Sequence, residues 1–181
     1  MSGLGAFLPK EQDFLIGIFY RVGYWMSYID DTDVSDRSEQ KEQVHMVSAL
    51  TRVANSKSIP GLVKELAAEA LRREGDQKRW LANQDTLLDD VAKAAQMVNS
   101  TGTADDYRAF RKAVMFVATS VAKAFREVPD TSTESEGIFS RLLDKAGEAL
   151  GAAGLGDSNE EMNISPAEDT ALHELSAALE V

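Results

Sequence analysis

Apolar residues recur at the spacing of one helix face along most of the chain, and the alternating pattern of strands is nearly absent. Residues three and four positions apart lie on one side of an α-helix, because a turn takes 3.6 residues. The sequence therefore predicts an all-α protein. The most regular of these stripes indicates the central helix, and it consists of Tyr107, Phe110, Val114, Val117, Val121 and Phe125.

The stripes and the residues that typically begin or end helices predict a compact bundle of about seven helices. The first runs from about Lys10 to Ile29, with Pro9 suited to its first turn. The second turns Val44, Val47, Leu50 and Val53 inward, and the third buries Leu62, Val63, Leu66, Ala67, Ala70 and Leu71 before Gly75 ends it. The others are predicted at about Gln77–Val98, after the cap Thr103, after the capping box of Thr133 and Glu136, and at Ser165, where Pro166 and Glu168 favour a helix start.

Length and composition favour one domain over residues 1–181, because 44% apolar content can fill a sizeable core. A flexible acidic connection is predicted near 151–164. The absence of cysteine excludes disulfides and thiolate metal sites and fits a reducing compartment, so we expect a cytoplasmic protein. The most apolar window, Phe14 to Ile29, is too short for a membrane span and contains Arg21.

The formal net charge is −11, and it is unevenly distributed. Residues 128–181 carry 12 acidic residues against only Arg141 and Lys145. Nucleic acids and anionic membranes are not expected partners, because both require a basic surface. The asymmetry indicates either a surface for a cation or basic partner, or a segment that only promotes solubility.

The segment IDDTDVSDRSEQKE, at positions 29–42, places six carboxylates between two apolar helical patterns. Ser35 is suited to cap the second helix, where Asp36 and Glu39 would face the positive end of the helix dipole. The carboxylates before Ser35 have no such role, and they repel one another unless solvent or a cation screens them. Two interpretations stay open: a solvated helix cap, and a calcium or magnesium site with the ligands Asp30, Asp31, Asp33, Asp36 and Glu39.

A second acidic turn precedes the last helix and is a weaker candidate for the same chemistry, with Asp157, Glu161 and Glu168 as the oxygen donors. Both turns approach the spacing of a twelve-residue calcium loop. The glycine that such a loop requires at its sixth position is replaced by Asp36 in the first turn and by Met162 in the second. True EF-hands are therefore not predicted.

Tyr20, Tyr24 and Tyr28 recur every four residues and form a face of their own on the first helix. A tyrosine combines an apolar ring with a polar hydroxyl, which suits both protein interfaces and the boundary between packed helices. We predict partner binding or self-association at these tyrosines, with packing against a neighbouring helix as the alternative.

The sequence contains no glycine-rich phosphate loop, nucleophile elbow or metal-hydrolase histidine pair. His45 and His173, the only histidines, each lie near an apolar stripe. We therefore predict a non-enzymatic protein that binds a divalent cation, a protein partner or both through its acidic turns. The alternatives are an enzyme that uses carboxylates alone and an interaction module without metal.

The first acidic turn contains Asp31, Asp33, Val34, Ser35 and Asp36, and the start of the last helix contains Ile164, Ser165, Pro166 and Glu168. With these residues the two segments resemble the tellurite-resistance TerB family, although Thr32 replaces the glycine of the family. The resemblance implies a compact, non-catalytic, seven-helix protein of stress-associated systems. It also implies an acidic surface patch that holds divalent cations.

Overall fold

The computed structural model describes residues 3–29, 36–123 and 165–181, with the backbone alone for 36–42 and 74. The described part is helical and contains no strand, which confirms the predicted all-α class. Its α-helices are α1 (Pro9–Ser27), α2 (Asp36–Asn55), α3 (Gly61–Arg72), the single turn α4 (Gln77–Trp80), α5 (Leu87–Thr101), α6 (Ala104–Ala122) and α7 (Pro166–Ala178). Short 3₁₀ segments lie at Leu4–Ala6, Glu74–Asp76 and Leu81–Thr86.

Helix α6 is the central element, as its regular stripe predicts. It packs against α1, α2, α3, α5 and α7, and it buries Phe110, Val114, Val117 and Val121 completely. The Phe110 ring meets Phe19 of α1 edge to face, with the ring centroids 5.7 Å apart. Phe125, the last residue of the predicted stripe, lies outside the described residues.

Helix α1 is buried on more than one side because α2, α3, α5 and α6 all pack against it. Its predicted stripe is confirmed, with Leu15, Ile18, Phe19, Val22 and Met26 in the core and Phe14, Trp25 and Ile29 partly buried at its edge. Helix α3 likewise buries its predicted residues except Leu71, which is partly buried, and it ends at Arg72 rather than at Gly75. Among the described residues, no helix is long and apolar enough to cross a membrane.

The prediction of which side of α2 faces the core was wrong, because the buried side is rotated by part of a turn from the predicted one. Val44 and Val47 are exposed, whereas Leu50 and Val53 are buried as predicted. Met46 and Ala49 complete the buried face, since residues 46, 49, 50 and 53 follow the spacing of one helix side. The valines were assigned to the core from apolarity alone, and the packing of α3 and α6 decides otherwise.

The single helix predicted from Gln77 to Val98 is also wrong, because it breaks between α4 and α5. Asn83 departs from helical geometry, with φ −128° and ψ 51°. Its carbonyl oxygen accepts hydrogen bonds from the Arg21 guanidinium and, at 3.1 Å, from the Thr86 hydroxyl. These bonds satisfy a carbonyl that the break leaves without its helical donor.

The helix starts predicted from capping residues are confirmed at α6 and α7. Thr103 Oγ1 accepts from Asp106 N at 3.1 Å, and Ser165 Oγ accepts from Glu168 N at 3.2 Å. In each capping box, the carboxylate of the third helical residue accepts a hydrogen bond from the backbone N–H of the cap residue. The helix predicted after Thr133 and the flexible connection near 151–164 fall outside the described residues.

Candidate functional site

The C-terminal half of α1 and the N-terminal half of α2 enclose a cleft with a volume of about 130 Å³. It contains Tyr20 and Tyr24 of α1, Tyr28 directly after this helix, and two residues of α2. No charged residue is among the described side chains that line it. The lining residues are Tyr20, Gly23, Tyr24, Ser27, Tyr28, Gln43 and Met46.

The tyrosines differ in depth along the cleft. Tyr20 is 7% exposed and its ring lies 6.1 Å from that of buried Trp80, so it forms the floor. Tyr24 is half-buried, and Tyr28 is 45% exposed at the mouth. The rings of Tyr24 and Tyr28 lie 4.6 Å apart at an angle of 39°. The helical spacing therefore produces a graded aromatic wall rather than one uniformly exposed ridge.

Gly23 lies against Met46 where α1 and α2 meet. A Cβ atom at this position would lie 2.5 Å from Sδ of Met46, so the flexible methionine side chain would have to shift for any other residue. One turn later, Ser27 Oγ donates a hydrogen bond to the Tyr24 carbonyl oxygen at 2.6 Å. Its hydroxyl proton is thereby committed to the helix backbone, and the oxygen keeps lone pairs for another donor.

Apolar side chains continue from the cleft onto the surface of α2. Val44 is 55% exposed and Val47 is 42% exposed. Gln43 and Val47 are four residues apart, and Val44 and Val47 are three apart, so the three share one side of the helix. We call Tyr28, Gln43, Val44 and Val47 the cleft rim. The exposure of Val44 and Val47 was not predicted from the sequence. The spacing of Met46 and Ala49 fits one helix face with Leu50 and Val53 better, and it could have identified the buried face.

The candidate cation ligands are only partly within the described residues. Asp30, Asp31 and Asp33 lie outside them, and Asp36 and Glu39 lie in the first turns of α2, where the backbone alone is described. In the portions of the chain that the structure describes, no group of three or more histidine, aspartate or glutamate side chains could hold a metal. The cation site at the first turn therefore stays a prediction.

In the second acidic turn, Asp157 and Glu161 also lie outside the described residues. Glu168 is described, and its carboxylate accepts a hydrogen bond from Ser165 N at 2.8 Å. The side chain is almost completely buried. Its observed role is thus that of a capping residue at the start of α7.

Carboxylates outside the cleft form ion pairs. Asp13 accepts from Arg79 at 2.7 Å and lies 3.4 Å from Arg73, whereas Glu69 pairs with Arg72 at 2.7 Å and with Arg73 at 3.0 Å. Hydrogen bonds from Arg79 lower the pKa of Asp13 most, and those from Arg72 lower the pKa of Glu69 most. Both carboxylates are therefore held ionised, which suits a structural acceptor better than a proton donor.

Arg21, a buried charged residue in the mostly apolar α1, binds the segment between α4 and α5. Its Nη1 lies 2.8 Å from Oδ2 of Asp90, and its Nε donates to Gln84 Oε1 at 3.3 Å. Asp90, in the first turn of α5, is therefore the partner of a buried guanidinium. His45 on α2 and His173 on α7 do not line the cleft.

Comparisons with protein-family models, with curated proteins and with solved structures found no significant match. The resemblance to the TerB family therefore stays a prediction from the sequence. The candidate site stands on its own geometry: a small aromatic cleft and an exposed apolar rim.

Proposed function

We propose that this protein is a non-enzymatic helical module that binds a protein partner at the cleft between α1 and α2. The observation that carries the proposal is the exposure of Tyr28 at the cleft and of Val44 and Val47 on the adjoining surface of α2. Single exposed apolar residues are ordinary, but an apolar group beside a concave site is typical of an interaction surface.

The size of the cleft favours a macromolecular partner over a small metabolite. Sites for small molecules and cofactors usually enclose about 300–1,000 Å³. The cleft encloses about 130 Å³, which is enough for one side chain. One inserted side chain makes few contacts in so small a site. Specific binding therefore requires that the partner protein also contacts the cleft rim.

The chemistry of the lining also suits protein recognition. Tyrosine is enriched at interfaces because its rigid ring offers a large contact area and its hydroxyl a hydrogen bond. Tyr24 and Tyr28 provide both, and Gln43 adds an amide. Met46 at the floor is flexible and polarisable, which lets it adapt to the shape of an entering side chain.

Site-specific photocrosslinking in the cells that produce the protein tests this proposal. A photoreactive benzophenone amino acid replaces Tyr28 in one variant and Leu8, which is 67% exposed at the other end of α1, in a matched control. We expect a discrete adduct from position 28 and none from position 8. The same adducts from both positions, or no adduct from position 28, would contradict the proposal.

A second candidate function is divalent-cation binding at the acidic segment, for which the run Asp30, Asp31 and Asp33 is the motivating observation. Calcium or magnesium would relieve the repulsion among these carboxylates and stabilise the folded state by mass action. We expect a raised melting temperature beyond that of a monovalent salt control, and loss of the shift in the variant with Asp31→Asn and Asp33→Asn. A flat calorimetric titration with calcium, magnesium, manganese and zinc would exclude this function.

The wider biological role is part of the same proposal and depends on the sequence resemblance. A TerB-like protein would act in a cytoplasmic stress-associated system, where a cation could regulate a protein contact. The acidic segment follows Tyr28 of the cleft directly in the sequence.

A further inference from the structure

We infer that the solvent-facing side of α2 binds a second copy of the chain, so that the protein partner is the protein itself. This inference rests on the proposed function, because that side of α2 includes three residues of the cleft rim. Four properties carry it: the absence of exposed charge, the hydrogen bonds of the polar residues, the spacing of the apolar ones and the charge of the whole chain.

The solvent-facing side of α2 exposes no charged residue where the structure describes its side chains. This part, residues 43–55, contains His45 and Arg52, but both are half-buried rather than exposed. All of its exposed side chains are neutral, and we call them the α2 outer face: Gln43, Val44, Val47, Ser48, Thr51 and Asn55.

The other long helices around the core differ from α2 in this respect. Each of them exposes charged residues: Glu65 and Arg72 on α3, Asp89 and Lys93 on α5, Asp105 and Arg108 on α6, and Glu174 on α7. A helix side that faces solvent normally carries charged residues. The buried centre of a protein interface is instead depleted of them. The α2 outer face therefore has the composition of an interface rather than of an ordinary solvated surface.

Two polar residues of the α2 outer face direct hydrogen-bond donors into their own helix. The Thr51 hydroxyl donates to the Val47 carbonyl oxygen at 2.7 Å, and the Asn55 amide donates to the Thr51 carbonyl oxygen at 3.0 Å. The hydroxyl proton and one amide proton are thereby satisfied without water. This lowers the cost of covering these side chains with another protein surface.

The spacing along the α2 outer face suits contact with another helix. Val44, Val47 and Thr51 follow one another at intervals of three and four residues, which is the spacing of residues along a seam between two helices. All three have small β-branched side chains, which lose little rotamer freedom when they are covered. The face can therefore pack against the same face of a second copy.

Charge favours a second copy over a different partner. A different partner is commonly selected and oriented by opposite charge, and the α2 outer face has none to offer among its described side chains. Two copies, each with a net charge of −11, repel each other least where they meet through a neutral face. Pairing across a two-fold axis, the commonest symmetry of soluble oligomers, brings the same face of both copies together.

The area of the α2 outer face predicts a weak dimer. Helix α2 has 20 residues, and a helix of this length is about 30 Å long and about 10 Å wide. Stable complexes usually bury at least about 1,200 Å² in total, and a contact centred on one helix pair falls below this value, in the range of transient complexes. We therefore expect a dimer that dissociates on dilution.

Sedimentation velocity of the full chain over a series of concentrations tests the inference. Val47→Glu and Val47→Lys place a charge of either sign on the α2 outer face, at a side chain that is 42% exposed. Ser48→Glu and Ser48→Lys repeat the test at an exposed polar position, where no apolar contact is lost. Ala68→Glu and Ala68→Lys are matched controls, because Ala68 is exposed on α3. Circular dichroism shows whether each variant keeps the helical content of the parent.

We expect the parent to dimerise and each charged α2 variant alone to dimerise at least about tenfold more weakly, because two-fold pairing brings like charges together. An equimolar mixture of Val47→Glu and Val47→Lys should recover the dimer, since opposite charges then face each other. The Ala68 variants should dimerise like the parent. The crosslink from position 28 should join two copies of the chain.

The other outcomes separate this inference from the proposed function. A parent that stays monomeric up to about 1 mM contradicts the inference, because even a weak specific dimer is detectable at that concentration. The inference is also wrong if the α2 variants dimerise like the parent, if their mixture does not recover the dimer, or if the Ala68 variants lose it equally. If the chain is monomeric and position 28 crosslinks to a different protein, the proposed function stands without the inference. If the chain is monomeric and position 28 forms no adduct, both fall.

Discussion

Arg21 is a charged residue within the apolar core, and it donates a hydrogen bond to the backbone of a distant segment. It is 5% exposed, yet its guanidinium contacts Asp90, Gln84 and the carbonyl oxygen of Asn83. A buried guanidinium is tolerated only when its donors are satisfied. The ion pair with Asp90 and the broken helix around Asn83 supply those acceptors, so one side chain fixes the path of a segment about sixty residues further along the chain.

Replacing this residue, Arg21→Met, should lower the free energy of unfolding by about 3 kcal/mol, because Asp90 loses its charge partner and Asn83 a donor. Arg108→Met is the matched control. Arg108 also pairs with an aspartate, Asp105, but both side chains are largely exposed, and we expect a change within about 0.5 kcal/mol. Urea unfolding followed by circular dichroism measures both. Equal effects would contradict a structural role for the buried pair.

Gly17 permits close contact between α1 and Trp80. A Cβ atom at this position would lie 2.8 Å from Cδ1 of the indole, which is too close for any real contact. We expect Gly17→Ala to destabilise the protein by about 1–3 kcal/mol through overpacking, despite the better helix propensity of alanine. Thermal unfolding monitored by tryptophan fluorescence measures the change.

Gly61→Ala is the control for that prediction. Gly61 begins α3 and an added Cβ would meet no atom within 4 Å. Alanine here restricts the unfolded chain without strain, so stability should stay the same or rise by up to about 1 kcal/mol. An equal loss of stability in Gly17→Ala and Gly61→Ala would contradict the role assigned to the contact between Gly17 and Trp80.

At the scale of elements, α7 is held by its cap and by its apolar side. It packs on α5 and α6 through Ala171, Leu172, Leu175 and Leu179. Its end is fixed to α6 because the Tyr107 hydroxyl donates to the Leu179 carbonyl oxygen at 2.9 Å. The start of the helix depends on the Ser165 capping box, so the cap and this tether hold opposite ends.

Ser165→Ala should lower stability by about 1 kcal/mol and raise amide exchange in the first turn of α7 before that of α6. Thr170→Ala is the matched control, because the Thr170 hydroxyl only donates to the carbonyl oxygen of Pro166 within the helix. Alanine favours the helix interior, so this change should be neutral or slightly stabilising. Hydrogen exchange measured by mass spectrometry distinguishes the two. Uniform exchange changes across all helices would contradict a local role of the cap.

For the molecule as a whole, ion pairs between distant parts of the chain link stability to pH. Asp13 on α1 binds Arg79 on α4, and hydrogen bonds from this guanidinium lower the pKa of Asp13 below its ordinary value of 3.8. A carboxyl with a lowered folded-state pKa stabilises the fold above its unfolded-state pKa. That contribution is lost as the pH falls below 3.8 towards the lowered value.

We therefore expect the unfolding free energy of the parent to decrease more steeply than that of Asp13→Asn as the pH falls through this window. Above it, the variant should be the less stable of the two, and the difference should shrink in strong acid. Urea titrations at a series of pH values measure the slopes. Glu11→Gln is a suitable control on the same helix, since Glu11 binds only its local backbone at Leu8. Parallel curves for the parent and Asp13→Asn would show that the pair with Arg79 contributes nothing.

The all-α class, the stripe of α6 and the starts of α6 and α7 follow from the sequence, because the interactions that determine them are local. Residues three or four apart share a helix face, and the caps at Thr103 and Ser165 bond to residues three positions ahead. The tyrosine spacing on α1 likewise identified one wall of the cleft. These features can be predicted without knowing which helices pack against each other.

The tertiary structure alone decided the exposure of Val44 and Val47, the break at Asn83 and the depth of each tyrosine. An apolar side chain is buried only where a neighbouring helix covers it, and α3 and α6 cover the side of α2 that carries Met46 rather than Val44. Arg21 reaches Asn83 across 62 positions in the chain. Periodicity carries no information about such pairings, because the free energy that selects them comes from surfaces brought together only when the helices pack.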